Sequence, residues 1–421
     1  MRIDDKNNLY LAADQDTADK INKKFYSKYS YPWYPKEFSY VEDDDLYRKK
    51  LCQSIGDWNH ERIPKKFKIW VAGCGTNQAV FTALRFPNAE VLGTDISTGS
   101  LKVCQNTADQ LGVTNLRLEE KSLNDTTYDE EFDYIMSTGV IHHNTDPYVT
   151  LRAISKGLKK DGVMELMVYN FYHRLLNTAF QKAVRIICRS DEQIDTETEL
   201  DLTRKLIQDF PVDNILKGYL TSMKLMEESY VADALIQPIE HSYTVDSFNT
   251  MVRDSNLEIL QYCVNQFDKM NKAHWNIDLP GEAYSSLPDI DRWQVGNLMM
   301  MEHSPMLWFY VQRSDSDYRR LSEAEICQSF LKTRFTKNVS VRHIHRLVDG
   351  AYQKNTDQAA FPLPKKPIHK GAAQVLEAHD PNKTMGEIMD SLGMDKSFKT
   401  VNEIRLQLTI SEFPYLASIP E

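Results

Sequence analysis

At 421 residues the chain is longer than one ordinary domain and is expected to hold two or three. An apolar content of 42% beside 26% charged residues is that of a globular protein, and a net charge of −10 argues against a broad nucleic-acid surface. Six scattered cysteines with no Cys-x-x-Cys pair exclude a zinc motif and a disulfide framework, no apolar run approaches the roughly 18–20 residues of a membrane span, and a charged start without an apolar core excludes a signal peptide; the expectation is a cytoplasmic enzyme that meets neither membrane nor nucleic acid and holds no metal.

The first 65 residues precede the core as an N-terminal helical and aromatic segment. A helix is predicted over Asp16–Lys28, with Asp16 or Thr17 as its cap. Its end overlaps Phe25-Tyr-Ser-Lys-Tyr-Ser-Tyr-Pro-Trp-Tyr-Pro35, where two prolines fix the backbone and six aromatic rings offer a stiff contact surface. This segment either packs across the core or closes over a ligand, and Tyr31, Trp33 and Tyr34 are its candidate substrate contacts.

From residue 66 apolar strands alternate with amphipathic helices, the pattern of a doubly wound, mostly parallel α/β sheet. Strands are predicted at 67–72, 90–94, 115–119, 132–137 and 163–169, with helices at 78–86, 97–111 (capped by Ser97) and 147–158. The first strand runs into Gly73-Cys-Gly75-Thr-Asn-Gln78, where two residues without a Cβ let the main chain approach a ligand. The second ends in Asp95, placed 20 residues past Gly75 where a carboxylate can accept from both hydroxyls of a ribose. A dinucleotide site would need a third glycine where Gln78 stands. Beyond the fourth strand comes Thr138-Gly-Val-Ile-His-His-Asn-Thr-Asp-Pro147, and then Leu158-Lys-Lys-Asp-Gly-Val-Met-Glu-Leu-Met-Val168.

With these four motifs in register, the sequence resembles the class I S-adenosylmethionine-dependent methyltransferases, strongly over 66–170 and more loosely over 243–313. The resemblance implies a seven-stranded sheet, S-adenosylmethionine as cofactor, and Gly73, Cys74 and Gly75 along its methionine moiety. It also implies Asp95 on the ribose and Ile96 on the adenine, with Gln78, Thr138 and Gly139 near the sulfonium side. Where many members carry an Asp near the adenine amino group, this chain has Ser122-Leu123, so Asn124 or Asp125 would have to substitute. His142 and His143 are either acid–base groups or caps of the loop, the latter being favoured; adjacent histidines without a third spaced ligand make a poor metal site. Tyr169 completes the candidate catalytic set, and Tyr172 is a candidate pocket residue. Glu240 and His241 could face the acceptor, although capping before the helix at Thr244 explains them better.

Against this pattern, 171–242 is a helical insertion, with helices at 175–187, 197–208 and 213–228. It is expected over the carboxyl ends of the strands as a substrate lid, or otherwise as a dimerisation element. The core resumes over 243–313, with strands at 257–263 and 306–312. Residues 314–421 read as a small helical appendage with helices at 321–332, 384–393 and 401–408. Its basic stretch 332–370 reads as a proline-broken linker. The leading expectation is methyl transfer to a small molecule, because methyl transfer needs positioning and water exclusion above all. The alternatives are a protein side-chain methyltransferase docking its substrate through the appendage, and a non-catalytic module that binds the cofactor.

Overall fold

The computed structural model describes residues 14–32, 35–189, 195–264, 279, 283–301, 306–354, 361–363 and 370–421. Helix α1 (Gln15–Lys28) is capped by Asp14, whose carboxylate accepts from Thr17 N at 2.8 Å, two residues ahead of the expected cap. Strand β1 (Glu37–Val41) and helix α2 (Leu46–Ser54) follow, neither of them foreseen. The core then alternates β2 (Lys68–Ala72), α3 (Gln78–Arg85), β3 (Glu90–Asp95), α4 (Thr98–Gln110), β4 (Leu116–Glu120), β5 (Phe132–Thr138), α5 (Pro147–Lys156) and β6 (Leu158–Tyr169). Ser97 caps α4, accepting from Ser100 N. Each expected core element is present within a few residues, except that β6 begins at Leu158 rather than 163. Its first residue pairs with Phe132 across an irregular step.

The insertion folds as α6 (Phe171–Cys188), α7 (Thr196–Gln208), α8 (Ile215–Ser222) and α9 (Glu228–Leu235), so the third expected helix is two. These helices build a core of their own around Phe180, Val184, Leu200, Leu220 and Leu235, closed by Phe25 and Tyr29 of α1. The sheet is completed by α10 (Val245–Asp254), β7 (Leu257–Tyr262), α11 (Asp289–Met300) and β8 (Met306–Arg313). Its strand order is β4-β3-β2-β5-β6-β8-β7, with only β8 antiparallel to its neighbours. In β2, Ile69, Trp70, Val71 and Ala72 are all fully buried, as a central parallel strand covered on both faces requires.

The C-terminal region corrects the expectation of a purely helical appendage. Beside α12 (Glu323–Lys332), α13 (Lys370–Glu377), α14 (Met385–Ser391) and α15 (Phe398–Thr409) it contains β9 (Phe335–Lys337), β10 (Ser340–Val348), β11 (Ala351–Lys354), β12 (Phe361–Leu363) and β13 (Leu416–Ser418). The basic stretch is thus mostly sheet, with β10 antiparallel to β1, β11 and β12. Arg342 and Arg346 are spent on Glu37 of β1. The region is also not separable. Gln53 of α2 donates to Thr409 O and Leu416 O and accepts from Ser418 N. Trp58 packs with Phe330 and Phe335.

The tightest tie is a buried polar cluster. Glu323 at the start of α12 is fully buried and accepts from Arg292, from Trp293 Nε1 (3.3 Å) and from Asn402 Nδ2 (3.1 Å), while its backbone N–H donates to Asp289. Removing one partner strands a buried charge. Glu323→Ala is therefore expected to lose about 3–5 kcal/mol in denaturant unfolding. A loss below about 1 kcal/mol, the range of an exposed pair, would show that this cluster does not hold the C-terminal region to the core.

Candidate functional site

The glycine turn after β2 is pinned to the neighbouring strand by Gly73 N and Cys74 N, both donating to Thr94 O at 2.9 Å. Gly73 (φ +76°) and Gly75 (φ +56°) are left-handed. A Cβ on Gly73 would lie 2.5 Å from both methyls of Val140, and one on Gly75 2.9 Å from Tyr31 O. Neither position has room for a side chain. Asp95 at the tip of β3 accepts from Gly75 N and Ser97 N, each at 2.8 Å. Burial pushes its carboxyl up, and the N–H groups of Ser97, Gly75 and Ile96 pull it back.

These groups line a cavity of about 740 Å³ that runs across the strand tips, from Ser122 after β4 past Asp95, Gly73 and Thr138 to Tyr169 at the end of β6. That volume lies within the roughly 300–1,000 Å³ of ligand pockets. Every residue expected at the cofactor (Gly73, Cys74, Gly75, Gln78, Asp95, Ile96, Ser122, Leu123, Thr138 and Gly139) borders it. Asn124 and Asp125 do not; Asn124 is committed to Asn144 and Thr150. The carboxylate nearest Ser122 comes from elsewhere. Asp19 of α1 accepts from Ser122 Oγ at 2.5 Å and from Gln15 Nε2 at 2.8 Å, and it lines the same wall.

The opposite end of the cavity separates the two histidines. His142 is fully buried and absent from the lining, which corrects its place among the catalytic candidates. Its ring lies 4.1 Å from that of Tyr169 and 4.2 Å from that of His143, and among the described residues neither nitrogen has a hydrogen-bond partner. Burial drives its pKa well below the usual histidine range, and the charges of His143, Arg174 and His241 add to the shift. His143 does border the cavity. Its Nδ1 lies 2.7 Å from Ile239 O, which can only accept, so Nδ1 carries the hydrogen and Nε2 keeps its lone pair. Burial also lowers its pKa, opposed foremost by Asp233.

Asp233 of α9 is the group that the sequence reading missed. It is buried at the cavity wall and accepts from the hydroxyls of Tyr26 and Tyr169, each at 3.0 Å. Burial raises its pKa. Its signal in the sequence was an acid inside the apolar run Val231-Ala-Asp-Ala-Leu235, since a carboxylate buried among aliphatic residues needs a reason. His173, Arg174 and Tyr230 also border this end.

Of the expected substrate contacts, Tyr31 lines the cavity, while Trp33 and Tyr34 fall outside the described residues. Tyr172, Glu240 and His241 do not line it, a correction in each case. Tyr172 serves the start of α6, its N–H donating to Asn170 Oδ1. Glu240 is held in a buried ion pair with Arg174 (Nε to Oε1 2.7 Å), whose guanidinium lies 4.3 Å from the Tyr169 ring centre. His241 Nε2 lies 3.0 Å from Asn144 O. The latter two brace the wall from behind.

Residues 67–209 match the protein family described as a methyltransferase domain. Together with the sheet order, this makes the core a class I S-adenosylmethionine-dependent methyltransferase domain, with S-adenosylmethionine as its cofactor. The fold is similar to that of PKMT2 from Rickettsia typhi, with a TM-score of 0.57 and 15% identity over 92% of this chain and 78% of that one. The same protein in complex with AdoHcy gives 0.54 over 87% and 73%. An uncharacterised Synechococcus protein is 25% identical over 238 residues, 55% of this chain and 57% of the relative. A tRNA U34 carboxymethyltransferase of Campylobacter jejuni is 32% identical over 173 residues, 39% of this chain and 55% of its own length. The chain thus spans little more than half the length of these curated relatives.

The buried, unpartnered ring of His142 has a measurable consequence. Its folded pKa is depressed, so below about pH 6.5 the unfolded chain takes up a proton that the folded chain refuses, and stability falls as pH falls. That cost is about 1.4 kcal/mol at pH 5.5. His142→Phe keeps a ring between His143 and Tyr169 and is expected to lose that much less between pH 7.5 and 5.5, with unchanged S-adenosylhomocysteine binding. An undiminished acid loss would mean that His142 takes up its proton in the folded chain as well, and loss of binding would mean that the ring acts in the site.

Proposed function

We propose that the protein transfers the methyl group of S-adenosylmethionine to a nucleophilic atom of a small-molecule acceptor, held at the β6 end of the cavity. The observation that carries this is one continuous space joining Asp95 and a glycine turn without room for a Cβ to the polar end formed by His143, Tyr169 and Asp233. The cofactor supplies a methyl group already activated on a sulfonium. The chain's task is then to bind, align and exclude water.

On this reading Asp95, oriented by Gly75 N and Ser97 N, accepts from the ribose hydroxyls. The open backbone of Gly73–Gly75 admits the amino-acid portion, while Ile96 and Leu123 flank the base. Asp19, fixed by Ser122 and Gln15, accepts from the adenine amino group in place of the acid missing after β4. His143 keeps a basic nitrogen at the acceptor end because its hydrogen is committed to Ile239 O. Helices α1, α6 and α9 cover the tips and keep water out.

The small-molecule acceptor is favoured over a docked polypeptide by the lining itself, to which no described residue beyond Trp308 contributes. The C-terminal region is spent on packing against α2, β1 and α11. A net charge of −10 weighs against a tRNA acceptor. Six scattered cysteines, none in a Cys-x-x-Cys pair, suit the reducing cytoplasm as the place of action.

Titration calorimetry with S-adenosylhomocysteine tests the cofactor half. Asp95→Ala removes charge-assisted hydrogen bonds worth about 1.5–3 kcal/mol and should weaken binding roughly 10- to 150-fold. Unchanged affinity would remove the ribose assignment. Asp19→Asn should weaken the adenosyl ligand and narrow its preference over the inosyl analogue, whose base presents a carbonyl where adenine has its amino group. An unaltered preference would detach Asp19 from the base.

A further inference from the structure

Resting on the methyltransferase reading above, we infer that the acceptor is an amine, bound as its ammonium ion by Asp233 inside a ring of tyrosines. Asp233 is a buried carboxylate with two neutral donors, the hydroxyls of Tyr26 and Tyr169, and among the described residues no ion pair reaches it. A carboxylate offers about four lone-pair sites, so roughly two remain for a ligand. The nearest fixed cation, Arg174, is matched by Glu240 in a bidentate pair that Gln181 also supports at 3.2 Å. When ionised, Asp233 therefore has no cation matched to it at this end of the cavity among the described residues. Buried charges are tolerated when paired, and an arriving ammonium supplies the partner.

The surrounding surface favours the same ligand. Tyr26, Tyr31, Tyr169 and Tyr230 border the cavity, and Tyr230 sits one helical turn before Asp233 on α9. Burial first, and then the nearby Asp233 carboxylate, push the pKa of the Tyr31 hydroxyl up. Aromatic faces attract cations and gain nothing from an anion. Beyond Tyr169 the wall turns apolar. Met306 pairs with Tyr169, and Trp308 with Met167, on the facing strands β6 and β8. The acceptor thus carries its nitrogen on an apolar stem.

The transfer balances with these groups. The bound R–NH3+ gives one proton to the Asp233 carboxylate, and the nitrogen lone pair so freed forms the N–CH3 bond. The S–CH3 bond breaks with its electron pair staying on sulfur. The product R–NH2+–CH3 leaves as a cation, and the proton on Asp233 returns to solvent. The buried setting that pushes the Asp233 carboxyl up also improves it as a proton acceptor.

The full-length protein is first shown by calorimetry to bind S-adenosylhomocysteine; failure at that step sinks the methyltransferase reading rather than this one. Thermal melting is then followed for the loaded protein with butylammonium, butanol or butyrate at tens of millimolar and equal ionic strength. Butylammonium alone is expected to raise the melting temperature, by roughly 1–2 °C or more. Asp233→Asn, which keeps both tyrosine hydroxyls partnered, should abolish the rise while binding S-adenosylhomocysteine within about twofold. Equal or larger shifts with butanol or butyrate, no shift with any probe, or a shift that survives in the variant would overturn the inference. The comparison of probes needs only the native chain, should the variant not fold. A blocked lysine, Nα-acetyl-lysine N-methylamide, separates free amines from polypeptide side chains: no shift is expected, and one exceeding that of butylammonium would keep the amine but overturn the small-molecule acceptor.

Discussion

The site depends on one constraint: between β2 and α3 the main chain must pass through left-handed conformations in a gap too narrow for any Cβ. Val140 closes the gap at Gly73, and Tyr31 O closes it at Gly75. Side-chain-bearing residues there would meet both the cost of left-handed geometry, about 1–2 kcal/mol each, and a steric clash. Because the turn is held, Gly75 N can reach the Asp95 carboxylate, and that bond in turn sets the carboxylate's orientation at the tip of β3. The constraint is mutual. Val140 belongs to the loop after β5 and Tyr31 to the segment after α1, so the turn, the histidine loop and the N-terminal segment fix one another.

The covering helices are joined to that elbow by polar contacts rather than by apolar packing alone. Thr76 Oγ1 donates to Pro32 O at 2.6 Å, Asn22 Nδ2 to His143 O at 2.6 Å, and Gln237 Nε2 to Asn22 Oδ1 at 3.1 Å. The apolar faces of α1 are given instead to the insertion, through Phe25 and Tyr29. The N-terminal segment and the insertion therefore form one body laid over the strand tips. Hydrogen bonds of this kind contribute about 1 kcal/mol each, far less than burial of an aromatic core. The cover therefore meets the loops at the strand tips largely through polar contacts of this kind.

The sheet was legible because its strands carry their own signal: buried on both faces, β2, β3, β5 and β6 read as apolar runs, the first three ended by glycine or an acid. The cofactor side was legible for the same reason, since it is built from backbone and from residues at strand tips. What escaped was set by distant partners. β1 and β10 are half-exposed strands whose pairing joins Glu37 to Arg346 across most of the chain, so neither holds a local pattern. The basic residues of β10 read as a linker because the sequence does not display Glu37 beside them. Asp19 looks like an ordinary helix-surface acid, and the apolar run around Asp233 does not show what that acid faces until the helices are docked. His142 and His143 are identical neighbours in the sequence, and only the short turn over Ile141–His143 sends one ring inward and the other to the cavity.

This division between legible and hidden residues follows the division of labour in the site. The nucleoside end is defined by main-chain geometry and by Asp95, which few substitutions could change without disturbing the sheet. The opposite, polar end is defined by side chains, most of them on α1, α6 and α9, which meet Tyr169 at the tip of β6. Tyr26 and Asp233 could be replaced there without moving any strand. Arg174 and Glu240 hold that wall rigid through a buried ion pair, and such a pair is costly to break but adds little net stability. Its retention beside Tyr169 is better explained by what it does to the cavity. It fixes the ring that presents a hydroxyl to Asp233, and by taking up its own charge it leaves Asp233 without an ionic partner among the described residues.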